Sequence, residues 1–359
     1  MSNLMERRNF LKKSLLTAGA LGLGKYAYAD NPPPVAGRHP SELPMPENVS
    51  NRDVPHFEAM RTPALVAYHR DSRDSAIWIR WKNEIVTCYR AEALQKYPYF
   101  YPLNALNSGL SLTTETGMPY PHHRSVFFGL DRVSHGESMH NFWQNNPDRD
   151  RIVSTKLELG ECTEKSVEFF NDCLWVPFQK EPIIADKRRF VLTILNDESY
   201  TLDCYFELTA LSDDVVFNRT NHGLFGARLA NDLTVNAGGV MINSEGEQRE
   251  RGTHDKPARW MATYGKRFGR TDGLVEGLAI MTPPYTRAPF DKDIWFTRNY
   301  GNISPMPFNV FDREETLSFP KNDVLKLAYR LVTYTSVPTN SFLNTQWDEF
   351  TALSEGKRS

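Results

Sequence analysis

The sequence lacks the patterns that mark several common classes of protein. Its four cysteines have no C-x-x-C spacing, which argues against a cysteine-based zinc site. It contains no G-x-G-x-x-G turn, no phosphate-binding P-loop, no H-E-x-x-H pair and no visible internal repeat. Its 42 basic and 44 acidic residues leave no positive surplus for a nucleic-acid backbone. Nucleotide chemistry, nucleic-acid binding and a solenoid or propeller fold therefore have no support.

The first residues have the order of an export signal. Residues 6–12, Glu-Arg-Arg-Asn-Phe-Leu-Lys, resemble the twin-arginine motif and precede an apolar stretch at 15–23 and the small-residue sequence Ala-Tyr-Ala at 27–29. The apolar stretch is shorter than the ~20 residues that span a bilayer. We predict a cleaved twin-arginine-type signal peptide, residues 1–29, and a periplasmic or extracellular protein. The alternative is an uncleaved amphipathic helix or membrane anchor.

The composition of the remaining chain changes near residue 56. Residues 30–56 are rich in proline and poor in apolar residues, which is typical of a linker or of a segment that wraps the surface. From residue 57 onward, short apolar runs alternate with turn residues. The whole chain is 40% hydrophobic, which is enough to bury a core. We therefore predict a single domain over residues 57–359.

Alternating apolar and polar side chains predict antiparallel strands with one buried face. The clearest run covers 200–210, where the even-numbered residues are Tyr, Leu, Cys, Phe, Leu and Ala. Residues 325–331 alternate in the same way, and β-rich runs cover 65–69, 76–81 and 84–90. Cys204, on the apolar face of its strand, is predicted to be a buried thiol.

One helix is predicted, near the C-terminus. Thr339 can cap it and Gly356 can end it, and its apolar stripe would be formed by Phe342, Leu343, Trp347, Phe350 and Leu353. Many strands with almost no helix indicate two packed sheets. The predicted fold class is therefore all-β: a large antiparallel β-sandwich with one C-terminal helix.

Four of the nine histidines fall within nineteen residues, from 122 to 140. Imidazole can donate, accept or ligate near neutral pH, and titratable groups concentrate at functional sites. In a strand, His122 and His123 would point to opposite faces and Arg124 would share a face with His122. The alternative is that these histidines are ordinary polar residues beside packed aromatics.

A metal site needs three converging ligands. His122, His123 and His135 could supply them, and twin-arginine export, which carries folded and often metal-loaded proteins, adds to this expectation. No cofactor is certain, and a bound divalent metal is one possibility for this chain.

Two further segments place polar side chains beside aromatic ones. Residues 215–226 lead from a strand into a polar tip with Asn221 and His222, which is also what a simple hairpin turn would contain. Residues 295–301 include Trp, Phe, Tyr and Arg298. Ring faces suit the C–H surface of a sugar, and arginine or asparagine can bind hydroxyls or a carboxylate. The alternative is that these are core aromatics next to a surface arginine.

The sequence resembles the secreted PmoA-like family over most of residues 97–335. The resemblance rests on the histidine segment, on 256–260 with 277–281, and on 295–301; its most specific part is Pro-His-His-Arg at 121–124, then Phe-Gly at 128–129 and Phe-Trp at 142–143. The family carries the name of a methane oxygenase subunit and its activity is unsettled. That subunit spans the membrane several times, so the resemblance does not imply methane oxidation here.

A looser similarity is to the galactose-mutarotase-like β-supersandwich. It rests on the histidine turn ahead of Phe-Gly-Leu-Asp at 128–131 and on Asn-His-Gly-Leu-Phe at 221–225. The resemblance implies a histidine from each segment at the sugar ring oxygen, here His122 or His123 together with His222. It also implies a carboxylate base late in the chain.

The late carboxylate is the part of that pattern that this sequence does not match. The residues near Arg298 offer no acid in a corresponding motif, which argues against plain mutarotation. Asp131 and Glu137 are reserve candidates for the base.

Together these observations predict a secreted carbohydrate-active enzyme that works at a sugar ring by general acid/base catalysis, as an epimerase, a ring-opening enzyme or a β-elimination lyase. The predicted acid/base groups are His122, His123 and His222; the predicted substrate-binding groups are Arg124, Trp143, Asn221 and Arg298. The alternatives are a non-catalytic glycan-binding module and a metal-dependent lyase or oxygenase. The expected partner is a carbohydrate or glycoside, with no nucleic acid and no membrane span in the mature chain.

Overall fold

The computed structural model describes residues 64–69, 75–144, 149–220, 224–285, 287, 289–292, 294–306 and 316–355. The predicted leader (1–29) and linker (30–56), together with Asn221, His222 and Gly356, lie outside the described residues. All described residues belong to the second of two units into which the chain divides, Ala59–Ser359. The predicted boundaries of leader, linker and domain stay predictions.

Strands dominate this part of the chain. They are β1 (Leu65–His69), β2 (Ala76–Trp81), β3 (Glu84–Arg90), β4 (Tyr99–Leu103), β5 (Val126–Phe128), β6 (Val133–His135), β7 (Ser138–His140), β8 (Arg151–Cys162), β9 (Ser166–Val176), β10 (Ile184–Asn196), β11 (Ser199–Ala210), β12 (Val215–Phe217), β13 (Phe225–Arg228), β14 (Val240–Asn243), β15 (Trp260–Lys266), β16 (Val275–Met281), β17 (Trp295–Arg298), β18 (Asn302–Pro305), β19 (Leu317–Phe319) and β20 (Val324–Thr335). The helices are α1 (Arg249–Thr253) and α2 (Asn340–Glu355), with short 3-10 turns at Asn231–Leu233, Val235–Ala237 and Phe290–Lys292.

The strands form two sheets of eight and one of four. The first sheet has the order β1-β2-β3-β4-β5-β13-β18-β17, and the second has the order β14-β15-β16-β20-β11-β10-β9-β8. The small third sheet has the order β19-β12-β6-β7. Every strand pairing within the described residues is antiparallel. The predicted all-β antiparallel class is confirmed.

Aromatic side chains join the two large sheets. The rings of Phe128 and Phe206 stack at 3.8 Å, and those of Phe225 and Tyr329 at 4.4 Å. Such ring pairs contribute about 0.5–1.5 kcal/mol each beyond the area that they bury. The facing sheets therefore share one core, as expected for a sandwich.

Strand β11 has the predicted alternation. Tyr200, Leu202, Cys204 and Leu208 are fully buried, and Phe206 is 3% exposed. Cys204 is thus the buried thiol that the pattern predicted, and burial raises its pKa well above the ordinary value. This strand lies between β10 and β20 in the middle of the second sheet, which explains why its apolar face is completely covered.

Helix α2 begins as predicted, because the Thr339 hydroxyl accepts a hydrogen bond from the Phe342 amide at 3.1 Å. Its buried stripe differs from the prediction. Leu343, Phe350 and Ser354 are buried, whereas Leu353 is 48% exposed. Neighbouring residues project about 100° apart around a helix, so a stripe that includes Ser354 turns Leu353 toward solvent.

Helix α2 also covers a face of β20 that the alternation predicted to be polar and exposed. Arg330 is only 4% exposed there and forms a two-pronged ion pair with Asp203, at 2.6 and 2.8 Å. Its third nitrogen donates to the carbonyl of Gln346, on the helix, at 3.1 Å. The second sheet is therefore buried on both faces at this point.

Candidate functional site

Four strand ends meet at one edge of the first sheet. In the antiparallel register, Val126 at the start of β5 pairs with Ala227, and Arg228 at the end of β13 pairs with Asn302 at the start of β18. Asn302 also pairs with Arg298 at the end of β17. Antiparallel pairing thus brings the histidine segment, which precedes β5, next to the Arg298 segment. We call this edge of the sheet the site edge.

The histidine segment enters the site edge as a turn. The amide of His123 donates to the carbonyl of Tyr120 at 3.1 Å, and Ser125 has a left-handed φ of 46°. The expectation that His122 and His123 point to opposite faces is therefore wrong, because it assumed a strand. Their ring centroids lie 4.5 Å apart, at an interplanar angle of 84°.

Five rings pack together at the site edge, and we call them the ring cluster: Tyr120, His122, His123, Trp143 and Tyr300. The His123 ring lies between Tyr120, stacked at 5.3 Å, and Trp143 at 4.8 Å. His123 is 2% exposed, while His122 is half-buried and Tyr120 is 42% exposed. The cluster therefore offers one imidazole to solvent and holds the other beneath a tyrosine.

Trp143 does not lie where the sequence prediction needs it. It is 1% exposed and packs against both imidazoles and against Phe127. A ring this deeply buried supports the histidines from below and has no face for a sugar. The exposed aromatic surface belongs to Tyr120, a residue to which the sequence analysis gave no role.

Arg228 is a second residue that the sequence analysis missed. It is 1% exposed, and its guanidinium lies over the Tyr300 ring at 4.5 Å. One nitrogen, Nη2, donates to the carbonyl of Met118 at 2.7 Å. Burial lowers its pKa. The signal in the sequence was one arginine at the end of the short apolar strand β13.

Gly117 allows the loop before the histidines to lie on this guanidinium. A Cβ built on Gly117 would lie 2.8 Å from Nε of Arg228, closer than side chains tolerate. Met118 and Tyr120, which follow in the loop, are both exposed. The segment from Gly117 to Tyr120 is thus the lid of the Arg228 side chain.

Arg298 has a carboxylate partner that the sequence did not reveal. Its Nη1 lies 3.2 Å from Oε1 of Glu250, on helix α1, and its guanidinium lies over the Phe296 ring at 4.3 Å. The other carboxylate oxygen of Glu250 accepts the amide of Asn299 at 3.0 Å. Arg298 is therefore paired with a carboxylate that lies 48 residues earlier in the chain.

The Tyr300 hydroxyl joins the two groups of charges. Burial raises its pKa to about 12, and the charges of Arg228, Arg298 and Glu250 all act on it. Tyr300 is therefore protonated at neutral pH and can donate a hydrogen bond. Its ring contacts Tyr120 at 5.2 Å and lies beneath the Arg228 guanidinium at 4.5 Å.

His254 lies behind the ion pair. Burial, assisted by the positive charge of Arg298, lowers its pKa to about 4. Its Nδ1 accepts the backbone amide of Thr297 at 3.3 Å, as a neutral ring can. His254 thus holds strand β17 as a neutral imidazole.

Arg124, predicted to bind substrate, contacts Gln95, which precedes β4, and Tyr99, the first residue of β4. Its Nη1 donates to the side chain of Gln95, and its guanidinium lies over the Tyr99 ring at 5.4 Å. The hydroxyl of Tyr97 donates to the carbonyl of His122. These contacts engage Arg124 in fixing the histidine turn.

His135, the third predicted metal ligand, lies on β6 in the small third sheet. Its Nε2 is 3.0 Å from the hydroxyl of Ser212. His122 and His123 contact each other and Trp143 in the ring cluster. Within the described residues, no group of three histidine, cysteine, aspartate or glutamate side chains is arranged to hold a metal ion.

The two reserve carboxylates, Asp131 and Glu137, take no part in the contacts that define the ring cluster. Asp131 is buried and accepts a hydrogen bond from the Thr220 hydroxyl at 2.5 Å, while Glu137 is exposed between β6 and β7. Asn221 and His222 lie outside the described residues, so their predicted roles are untested. The described residue that follows them, Leu224, accepts the Gly129 amide at 2.7 Å, next to Trp143.

Fold and site edge together define an antiparallel β-sandwich protein with an imidazole and tyrosine cluster beside an arginine–glutamate pair. Residues 77–348 match a family that is described as a family of unknown function, DUF6807, and the chain belongs to that family. No curated protein matches the sequence. None of the described helices is both long and apolar enough to span a membrane.

Solved structures include two similar chains of known description. One is a galactose 1-epimerase from Lactobacillus acidophilus, with 12% identity, a TM-score of 0.36, and coverage of 76% of this chain and 98% of that chain. The other, assigned as an aldose 1-epimerase, is from Klebsiella pneumoniae, with 7% identity, a TM-score of 0.33, and coverage of 80% and 87%. With both TM-scores below 0.5, this similarity says nothing about the activity of the present chain.

Proposed function

We propose that the protein is an exported carbohydrate-active enzyme that moves a proton at a sugar ring, as an epimerase, a ring-opening enzyme or a β-elimination lyase. The observation that carries this proposal is the ring cluster, in which two imidazoles contact the same buried tryptophan beside an exposed tyrosine. Imidazole transfers protons near neutral pH, and an accessible tyrosine ring offers a face for a sugar. Export rests on the twin-arginine-type leader, which lies outside the described residues.

The two histidines have different accessibility, which suggests different roles. His122 is half-buried and is our assignment for the proton-transfer group. His123 is held between Tyr120 and Trp143 and would orient its neighbour or polarise a substrate oxygen. The protonated Tyr300 hydroxyl would add a donor to the same surface.

The looser resemblance of the sequence to the galactose-mutarotase-like β-supersandwich supports the same proposal. It implies a second catalytic histidine at His222, and the neighbouring Asn221 is our own assignment for a substrate contact. In that scheme Glu250, which pairs with Arg298 at the site edge, takes the place of the missing late carboxylate.

The test is incubation of the purified protein with a panel of glycosides and free sugars. Products are followed by mass spectrometry, and proton exchange at the ring carbons by NMR in deuterated water. We expect turnover or exchange that is lost in His123→Ala and in His222→Ala, with the thermal unfolding transition retained. Arg270→Gln is the matched control, because the Arg270 side chain is exposed and pairs with its neighbour Asp272. Full activity in both histidine variants would overturn the proposal.

One observation favours a second function, a non-catalytic glycan-binding module. The Glu250 carboxylate is engaged by Arg298 on one oxygen and by the Asn299 amide on the other, so it has no role as a base in this arrangement. A binding module would retain glycans on the same panel without changing them. It would also tolerate His122→Gln while losing affinity in Tyr120→Ala.

A further inference from the structure

Arg228 is a buried cation with no buried anion beside it among the described residues. Of its three guanidinium nitrogens, Nε and Nη1 have no hydrogen-bond partner in that part of the chain, and Nη2 donates one bond, to the carbonyl of Met118. Among the residues that the structure describes, no carboxylate pairs with Arg228. The titratable groups that act on it are the hydroxyls of Tyr300 and Tyr120. Arginine is almost never fully buried unless it is paired, so this side chain needs an explanation.

We propose that Arg228 binds the carboxylate of an acidic sugar, so that the substrate class of the site is a uronic acid or a glycan that contains one. This inference rests on the proposed function, because it places the sugar at the ring cluster. A carboxylate can accept from Nη1 and from the second hydrogen of Nη2, which now donates only to Met118. The ligand thus supplies the negative charge that the described residues do not.

The surroundings of the guanidinium favour a single carboxylate. Arg298, the other arginine at the site edge, is already paired with Glu250. The one available guanidinium matches the single charge and the two oxygens of one carboxylate. The Tyr300 ring lies beneath the guanidinium at 4.5 Å and contacts the exposed Tyr120 ring at 5.2 Å, so aromatic faces adjoin the arginine.

The carboxylate reaches Arg228 by displacing the loop above it. The Met118 carbonyl occupies Nη2, and Gly117 lies against Nε. Met118 is 76% exposed and Tyr120 is 42% exposed, so little buried apolar surface holds this loop in place. Movement of the loop also uncovers the face of His123 on which Tyr120 stacks. Binding of the acid and opening of the ring cluster are thus one event.

The experiment compares acids with their neutral esters. Binding of D-glucuronate and D-galacturonate, and of the methyl ester of each, is measured by calorimetry on the purified protein. Acid and ester share the same ring and differ in charge. A charge-assisted bond to a buried arginine predicts that each acid that binds does so about 10- to 100-fold more tightly than its ester.

Variants assign that preference to one side chain. In Arg228→Gln the ratio of acid to ester affinity should fall to about 1, while the exposed control Arg270→Gln keeps the wild-type ratio. Thermal unfolding checks that each variant is folded. If Arg228→Gln does not fold, Arg228→Lys keeps the charge without the planar fork and should show an intermediate ratio.

The outcomes separate this inference from the proposed function. Equal binding of acid and ester by the wild type overturns the inference and leaves the sugar site standing. A preference for the acid that persists in Arg228→Gln also overturns it, because another cation would then be responsible. Absence of binding by all four ligands overturns this inference, and absence of binding and turnover across the whole glycoside panel overturns the proposed function as well.

Discussion

Four arginines are buried in the described part of the chain, and their surroundings differ. Three of them pair with buried carboxylates: Arg188 with Asp186, Arg267 with Asp232 and Glu276, and Arg330 with Asp203. The fourth, Arg228 at the site edge, contacts a tyrosine ring and one carbonyl oxygen. The same side chain thus has a complete environment in the interior and an incomplete one at the site.

The difference teaches which charges serve the fold. Removing a guanidinium from water is expensive, and a carboxylate with good geometry offsets much of that penalty. Asp186 and Arg188 lie on the same strand, β10, and the Arg188 guanidinium also contacts the rings of Phe128 in the first sheet and Phe206 in the second. At Arg228 the penalty is not offset by the described residues. Variants in the interior should therefore change stability, and variants at the site edge should change chemistry or binding.

The largest expected effect is on turnover at the site edge. Replacing His122 by Gln removes the accessible proton-transfer group and should lower the rate about 10²- to 10⁴-fold. The unfolding temperature should stay near that of the wild type, because His122 is only half-buried. Steady-state kinetics on the substrate found in the panel, together with calorimetric unfolding, measures both. If His122→Gln lowered the unfolding temperature together with the turnover rate, the prediction that variants at the site edge leave stability unchanged would be wrong.

An interior pair should show the opposite behaviour. Asp203→Asn leaves Arg330 buried without its two-pronged partner and should lower the free energy of unfolding by about 3–5 kcal/mol. Urea titration measures this loss, and turnover by the remaining folded protein should be unchanged. The control is Asp197→Asn, which breaks an exposed pair with Lys82 and should change little.

His254 provides a pH test at the boundary between the two regions. Its pKa is lowered from 6.5 to about 4 in the folded protein, so the unfolded chain takes up the proton first as the pH falls. The contribution of the neutral His254 ring to the free energy of unfolding is therefore complete above pH 6.5 and is lost progressively between pH 6.5 and about 4. With part of the ring solvent-exposed, we expect the loss to be about 1–2 kcal/mol.

Unfolding free energies at pH 7 and pH 4.5 measure this effect. His254→Gln keeps a polar side chain that does not titrate, so the difference between the two pH values should shrink by that amount. An unchanged difference in the variant would mean that other groups carry the acid sensitivity.

The smallest effect on stability is expected at Arg228 itself. Arg228→Met keeps the length of the side chain and removes a buried charge, so loss of the tyrosine contact and relief of desolvation should nearly cancel, within about 1 kcal/mol. The same substitution at Arg330 leaves Asp203 without its partner and should be strongly destabilising. If both substitutions lower the free energy of unfolding by similar amounts, Arg228 stabilises the fold in the same way as the other three arginines.

The fold was largely predictable because strands and sheets follow local alternation. The runs at 65–69, 76–81 and 84–90 match β1, β2 and β3, and the cap at Thr339 is where the sequence placed it. Leu353 was assigned to the wrong side because the buried stripe of α2 passes through Ser354, a polar residue that a hydrophobic pattern overlooks.

The site was predictable only in part, because its geometry depends on tertiary contacts. The sequence identified the histidine segment and Arg298, and strand pairing brings both to the site edge. It did not identify Glu250, which is the second residue of the five-residue helix α1. The first residue of that helix, Arg249, has a left-handed φ of 58°. It also predicted that Trp143 binds substrate, because a sequence does not show which aromatic side chains the fold buries.

Gly117 has a consequence for how members of this family vary. A Cβ at this position would lie 2.8 Å from Nε of Arg228 and 2.8 Å from Cγ2 of Thr114, so both side chains require the glycine. A relative that keeps the arginine beneath the loop should therefore keep the glycine as well. A relative that loses the arginine gains freedom at this position only if the threonine also changes.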